Sequence, residues 1–446
     1  MTASPARRRR LLFIAPSAYP LGGVQEWLST LIPDLQALGH RVQLAIPDGA
    51  LHDAAAYRRT HPGIPCLSFA NPSGSAMGRR RCLMRLLLAH PADLVLGVNI
   101  GDLYPAVRAL RRNAGWSTPV AMTLHALEPD YFADLAAEAD VIAAVIASNR
   151  LSQGLACSLS GMAPARSLYA PYGVVRGRRG FPPAAGKRVP PLRIAWVGRL
   201  EQPQKRVHDL IPILTALDRG GLDYRLTLAG DGPERLRLEE TLRPWLRRGC
   251  VTLAGTVPRQ RLLDQLYPEH DALLITSSWE TGPIVAWEAM AAGLPVVSSD
   301  YLGRGLEAAL IPERTCLSFP CGDGDAAAAA LQRLADPALH QRLSRAGAAL
   351  VRSRYSRSRS CQRWCEAIEA AIALPPLPRP AAAPPAAAMG RLDRCIGPGP
   401  AETMRWLFRR RYVHTQPGSE WPHAVHAARF DEEQLLHQAT RLETDA

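Results

Sequence analysis

With 446 residues, 47% hydrophobic and 21% charged, the chain is too long for one ordinary core and suits two or three packed domains. Its formal net charge of +13 is spread along the sequence and favours anionic partners such as phosphates or acidic lipid headgroups. No zinc-finger spacing or RNP aromatic pattern accompanies that charge, so no nucleic-acid partner is expected. Nine scattered cysteines without a Cys-x-x-Cys read as reduced thiols. The stretch after Arg7 to Arg10, LLFIAP, is too short for a signal peptide, and no apolar run reaches the roughly 20 residues that span a bilayer. A cytoplasmic location is the expectation.

In chain order, LLFIA (11–15) reads as a buried strand and EWLSTLIPDLQALG (26–39) as a helix ended by Gly39. RVQLAIP (41–47), ADLVLGV (92–98), PVAMTLH (119–125) and DVIAAVIAS (140–148) follow as strands, with helical stretches between them. At 173–191 the texture turns to Gly, Pro and Arg, the composition of a linker. The alternation then restarts with strands at 192–198, 224–230, 251–255, 271–277 and 295–299. Helices are predicted at about 206–219, 233–247, 259–267 and 283–292, and a helical run from 325 to about 372 closes this half. Strands alternating with helices imply parallel sheets covered on both faces, with ligands at the strand carboxyl ends. The resulting division is 1–177, 178–373, a Pro/Ala-rich linker at 374–390 and an extension of unassigned role at 391–446.

Two segments carry chemistry. In 271–299, Glu280 lies in a loop before a helix that Pro283 opens, and Glu288 lies inside that helix. A helix N-terminus offers free N–H groups and a positive dipole to phosphate oxygens, while carboxylates accept hydrogen bonds from hydroxyls. A sugar linked to a nucleoside diphosphate uses both; two ordinary solvated glutamates are the alternative. In 196–214 a strand ends at Gly198, and Arg199, Lys205 and Arg206 follow. Two cations at a strand's carboxyl end suit a diphosphate, the planar Arg fork gripping oxygen pairs and Lys acting as a point charge. Of the 53 basic residues only Lys187 and Lys205 are lysine, which weighs against a generic basic loop. Asp323 and Asp325 form an Asp-x-Asp ahead of an alanine-rich helix, where Asp325 reads as an N-cap rather than a metal ligand.

Together these motifs resemble glycosyltransferase family 4, retaining enzymes of the GT-B fold. The resemblance spans roughly 11–372 and rests on VGRL…K at 197–205, LAGDGP at 228–233, VTLAGTVP at 251–258 and the Glu-x7-Glu segment running into EAMAAGLPVVSS. PLGGVQEW (20–27), GHRV (39–42), TLH (123–125) and APYGVV (170–175) add to it in the first half. It implies an α/β protein of GT-B architecture, with two facing Rossmann-like parallel-sheet domains and a cleft between them, acceptor bound mainly by the first and donor by the second. It implies that Arg199 and Lys205 bind the diphosphate, that Glu280 contacts the transferred sugar and that Glu288 contacts the ribose. Gly22 and Gly23 resemble the loop that closes on the phosphates, and His125 the histidine beside the reacting carbon. The implied partners are a UDP- or GDP-linked sugar and a glycan or lipid-linked acceptor; no cofactor and no metal are implied. The implied reaction is transfer with retention, in the synthesis of cell-envelope or exopolysaccharide glycans.

Three departures from the family pattern stand out. The Arg199-to-Lys205 spacing is one residue longer than the commonest pattern, which leaves Arg206 as a rival for the phosphate. Gln25 replaces a frequent Glu. Pro283 replaces a frequent Gly and lacks an N–H, which shifts phosphate binding to the N–H groups of Ile284 and Val285. A nucleotide-sugar epimerase, a hydrolase or a non-catalytic nucleotide-sugar-binding partner are the competing functions on the same fold. Two arginine-rich stretches with large apolar residues, GRRRCLMRLLLAH (78–90) and ETMRWLFRRRYV (402–413), suit an anionic membrane surface or ordinary amphipathic packing.

Overall fold

The computed structural model describes residues 8–18, 23–49, 52–177, 190–382, 385–415 and 419–445. The chain divides into two compact units, Met1–Ala170 with Cys361–Gln438, and Pro171–Ser360 with Ala439–Ala446. The first unit is built on strands β1 (Arg10–Ile14), β2 (Arg41–Asp48), β3 (Cys66–Ala70), β4 (Leu94–Val98), β5 (Val120–Leu124), β6 (Ala144–Ala147) and β7 (Ser167–Tyr169). They form one sheet in the order β3-β2-β1-β4-β5-β6-β7, parallel throughout. The second unit holds β8 (Leu192–Val197), β9 (Tyr224–Ala229), β10 (Val251–Gly255), β11 (Ala272–Ile275), β12 (Val296–Ser299) and β13 (Cys316–Phe319), in the order β10-β9-β8-β11-β12-β13 and again parallel.

Helices connect successive strands, so both faces of each sheet are covered and the central strands are continuous apolar runs. Leu11, Leu12, Phe13 and Ile14 of β1 are buried, as are Ala272, Leu273, Leu274 and Ile275 of β11. In each sheet the strand order reverses once, between β1 and β4 and between β8 and β11. An α/β sheet opens a crevice at such a reversal, outside the strand carboxyl ends.

The central strands fall where the sequence predicts them. The unpredicted strands β3, β7 and β13 are all at sheet edges, and β3 is only partly buried, which weakens an apolar signal. The helix expected over 233–247 is two pieces, Arg235–Thr241 and Arg243–Arg247, with Pro244 in the first turn of the second. The cap ahead of the alanine-rich helix is Asp323, not Asp325. Asp323 has the extended backbone of an N-cap and accepts from the Ala326 N–H at 2.9 Å, whereas Asp325 lies inside the helix Gly324–Arg333 and pairs with Arg219.

The division of the chain also differs from the sequence-based one. Helix Arg357–Ala373 does not close the second unit, because from Cys361 onward it belongs to the first. Trp364, fully buried, packs on Trp27 with ring centroids 4.7 Å apart, and Glu369 binds Arg9. Residues 374–438 likewise join the first unit instead of forming a separate extension. Among the described residues no helix is long and apolar enough to cross a membrane.

Candidate active site

Beside the reversal point of the second sheet, the carboxyl ends of β8, β9 and β10 are joined by backbone contacts that glycines permit. Gly230 ends β9 with φ near 152°, and its N–H donates to the Gly255 carbonyl at 2.8 Å. A Cβ on Gly230 would stand 1.7 Å from the Gly198 carbonyl oxygen. The glycine of LAGDGP is therefore what lets the ends of β8, β9 and β10 draw together. Beyond β8, the loop is tied to the one beyond β11. The Thr276 hydroxyl donates to the Lys205 carbonyl at 2.6 Å, and the Ser278 N–H to the Gln204 carbonyl at 2.8 Å. The Ser278 hydroxyl donates to the Pro203 carbonyl, and the Gln204 amide to the Trp279 carbonyl.

These ties bring Lys205 and Glu280 together. The Lys205 Nζ lies 2.6 Å from Glu280 Oε1, and the Ser277 hydroxyl donates to the same oxygen at 2.6 Å. The Glu280 side chain is 6% exposed and that of Lys205 19%, so the pair sits at the edge of solvent, where an ammonium can exchange a carboxylate for another anion. Arg199, from the same loop, is exposed and reaches Glu201 at 3.0 Å. Arg206 takes a left-handed backbone conformation, and its guanidinium grips both oxygens of Asp209 at 2.7 and 3.1 Å. The two neighbouring cations thus face different partners, Lys205 toward Glu280 and Arg206 toward Asp209.

Helix Ile284–Ala291 starts directly behind this pair, with Pro283 as its N-cap. The Pro283 carbonyl accepts from the Ala286 and Trp287 N–H groups. Ile284 and Val285 hold the first two N–H groups, which have no carbonyl four residues back within the helix. Glu288 is buried inside the helix. It accepts from Arg259 Nε at 2.7 Å and from the Tyr267 hydroxyl at 3.2 Å. Burial, and then the Glu288 charge, push the Tyr267 phenol well above its ordinary range, so it stays a donor. Neither Arg259 nor Tyr267 is singled out by the sequence. The signal available is Arg259's position, directly after VTLAGTVP.

In the first unit, His125 stands just past β5. Its Nε2 lies 2.9 Å from the Thr123 hydroxyl, and its ring rests on Trp27 at a centroid distance of 4.5 Å. Complete burial holds its pKa down to about 3, so the imidazole is neutral at physiological pH. Gly23 is the first residue of helix Gly23–Ala37, and among the described residues a Cβ there would meet no atom within 4 Å, so none of them requires glycine at this position. Gly22 lies outside the described residues. Gln25 is buried, with its amide nitrogen 2.9 Å from the Ser29 hydroxyl and 3.2 Å from His61 Nε2.

A feature with no sequence signal crosses the strand ends of the first sheet. Residues 419–428 run from β2 past β3 to the segment after β4. Glu420 lies 3.5 Å from His52 and faces Gly49, and Trp421 packs edge-on against Phe69 at 5.0 Å. Asp134 accepts from the N–H groups of Val425 and His426, at 3.0 and 2.7 Å. Burial pushes the Asp134 carboxyl up to about 7, against the pull of those two donors.

Known proteins resemble this chain in sequence and in fold. Residues 21–156 match the family described as Glycosyltransferase Family 4, and residues 191–336 the one described as Glycosyl transferases group 1. A glycogen synthase of Mycobacterium tuberculosis is 31% identical over 266 residues, 58% of this chain and 61% of that protein. The chain thus spans about three-fifths of the length of that relative. The lipopolysaccharide core biosynthesis glycosyltransferase LpsD of Rhizobium meliloti is 36% identical over 132 residues, 29% of this chain and 37% of that one. A crystal structure of HepE from Anabaena, in complex with UDP and glucose, superposes with a TM-score of 0.65 at 20% identity, covering 81% of this chain and 100% of that one. With two Rossmann-like sheets, the Lys205–Glu280 pair at a reversal point and family matches in both halves, the chain belongs to the family 4 (group 1) glycosyltransferases.

Proposed function

We propose that the protein transfers a sugar from a nucleoside diphosphate to a glycan or lipid-linked acceptor, with retention of configuration and without a metal. The observation that carries this reading is the Lys205–Glu280 pair beside the N-terminus of helix Ile284–Ala291. An arriving diphosphate offers Lys205 a stronger anion than Glu280, and Glu280, released, accepts hydrogen bonds from sugar hydroxyls. The N–H groups of Ile284 and Val285 and the exposed Arg199 receive the remaining phosphate charge. Glu288, oriented by Arg259 and Tyr267, presents its carboxylate to the ribose.

In the transfer step the bond from the sugar's anomeric carbon to the leaving phosphate oxygen breaks, and the acceptor oxygen bonds to that carbon on the same face. The acceptor proton passes to a phosphate oxygen of the leaving nucleoside diphosphate. Lys205, Arg199 and the helix N-terminus stabilise the charge that develops there, the role a divalent metal fills in metal-dependent transferases. No side chain is needed as nucleophile. His125, neutral, serves as a hydrogen-bonding group and not as a proton source. HepE, bound to UDP, supports a UDP-linked donor, and LpsD supports a cell-envelope glycan as product; a glycan of that kind suits a place at the cytoplasmic membrane face.

A thermal-shift panel of UDP- and GDP-linked sugars with 2 mM EDTA tests the reading. One nucleotide sugar is expected to raise Tm, and Lys205→Ala and Glu288→Ala to abolish that rise. The anomeric proton of the product is then read by NMR, and an inverted product refutes the proposed step. Free sugar or an epimer formed without dependence on acceptor replaces transfer with hydrolysis or epimerisation.

A further inference from the structure

The two arginine-rich stretches, more than 300 residues apart in sequence, meet in the first unit. Helix Ala76–Ala89 carries one and helix Pro398–Leu407 begins the other. The second is fixed to the first from both sides. The Ser75 hydroxyl donates to buried Glu402, and Arg81 donates to the Gly399 carbonyl and the Thr403 hydroxyl. Buried Arg405 pairs with buried Asp393. Past the helix, the Tyr412 N–H donates to the Ser73 carbonyl at 2.8 Å, and His414 Nε2 lies 2.8 Å from the Gly74 carbonyl. Gly74, with φ near 69°, permits this approach, since a Cβ there would stand 2.3 Å from the Tyr412 carbonyl oxygen.

Between these anchors the chain does the opposite of what a water-facing surface does. Trp406, Leu407 and Phe408 are 65%, 61% and 66% exposed, and Val413 beyond them is exposed as well. Arg409, Arg410 and Arg411 follow the three apolar residues directly and are themselves exposed. A cleft of about 770 Å³ opens beside them, with Arg81, Arg85, Arg409 and Arg410 in its lining. The one carboxylate in that lining, Glu402, is buried and already accepts from Ser75. Large apolar side chains held outward at the rim of an arginine-lined cleft are not ordinary surface residues.

We propose that this surface docks the protein on an anionic bilayer. The Trp406-Leu407-Phe408 tip enters the acyl boundary, and Arg409, Arg410, Arg81 and Arg85 bind lipid phosphates. A lipid surface is favoured because it presents apolar and anionic layers a few ångströms apart, matching a tip that changes from apolar to cationic within two residues. No spanning helix is involved. The proposal deepens the reading of a protein at the cytoplasmic membrane face and rests on it only for the purpose of reaching a lipid-linked acceptor; donor binding, which the proposed function places in the second unit, is measured separately.

Vesicle flotation of the full chain tests it, using phosphatidylcholine vesicles with and without 30% phosphatidylglycerol. Binding is expected only to the anionic vesicles. Arg409→Gln/Arg410→Gln is expected to weaken it roughly thirtyfold, and Trp406→Ser/Phe408→Ser at least as much. Arg58→Gln/Arg59→Gln removes the same charge from another exposed helix of the first unit and is expected to leave most of the binding. All four altered tip residues are exposed, so unchanged Tm is expected and confirms that folding is intact. Absence of binding to anionic vesicles overturns the proposal, as does equal loss in the Arg58/Arg59 variant, which would mean a diffuse charge effect. The donor thermal shift, measured on the same samples, is expected to be unchanged in every variant; a failed flotation with an intact shift refutes the docking surface alone.

Discussion

Replacing Lys205 by methionine keeps the side chain's length and removes its charge, which leaves the 6%-exposed Glu280 carboxylate with Ser277 as its remaining side-chain hydrogen-bond donor within the loop. Breaking a buried ion pair from one side costs about 3–5 kcal/mol. Lys205 is partly exposed, so solvent screens the interaction and the lower end, about 3 kcal/mol, is the expected loss. For a unit of this size that corresponds to a Tm lower by about 6–12 °C. Glu280→Gln is expected to cost less, about 1 kcal/mol, because the ammonium can turn to water. The double variant leaves a neutral pair and is expected to resemble Glu280→Gln, a coupling of about 3 kcal/mol. Two units need not unfold in one step, so hydrogen exchange on peptides from β8 and β11 reads the unit that carries the pair. Additive single losses, within about 0.5 kcal/mol, would refute the pairing as a source of stability. A nucleotide-induced Tm rise that survives intact in Lys205→Met would refute the exchange of Glu280 for phosphate.

Gly230→Ala is expected to lower stability by at least about 3 kcal/mol or to prevent folding, since its Cβ would overlap the Gly198 carbonyl; Gly221→Ala, with φ near 65° and open space around it, is expected to cost only about 1–2 kcal/mol in the same denaturant titration. Arg259→Met is expected to cost about 1.5–3 kcal/mol and to weaken nucleoside diphosphate binding by isothermal titration, because Glu288 loses a charged donor. His125 binds its proton far more weakly when folded, down to about 3, than the ordinary 6.5 of the unfolded chain. The stability from the neutral form is therefore complete above about pH 6.5 and is lost as pH falls toward 3, at up to about 1.4 kcal/mol per pH unit. His125→Gln is expected to be less steep over that window, and identical slopes would count against the burial. Trp421→Ala is expected to cost about 3–5 kcal/mol of local stability and to raise hydrogen exchange across 419–428, with β1 and β4 unchanged.

What the sequence could and could not disclose follows from where each signal lives. The central strands were legible because parallel strands covered on both faces must be continuous apolar runs, as in LLFI of β1 and ALLI of β11. Edge strands such as β3 carry less burial and hence less pattern. Lys205 was legible through rarity, and Glu280 and Glu288 through their spacing around a helix start. Which of Lys205 and Arg206 meets Glu280 was not, because it depends on a left-handed backbone at Arg206 that turns its guanidinium to Asp209. Arg259 and Tyr267 were hidden because they reach Glu288 through tertiary contact alone. The run of 419–428 across the first sheet depends on backbone N–H groups meeting Asp134, and backbone groups leave no trace in side-chain composition.

The two sheets share one strand order, yet the chain furnishes their carboxyl ends with opposite chemistry. Beyond β8 and β11 stand a lysine, a carboxylate in contact with it, an exposed arginine and a helix N-terminus. Such groups respond to charge, and they match a step in which negative charge grows on a departing diphosphate. Beyond β5 stands an imidazole kept neutral by burial and seated on Trp27, with a second tryptophan, Trp364, behind it. A neutral histidine among aromatic rings cannot stabilise a leaving group's charge, but it can align a hydroxyl without adding a competing cation. The tail lays Trp421 and the 425–426 backbone over the ends of the first sheet, where Glu420 and Asp134 are each held by a partner, His52 and the 425–426 N–H groups. The duplicated fold supplies two crevices, and in the proposed function the residues of the second make it the one that takes the donor.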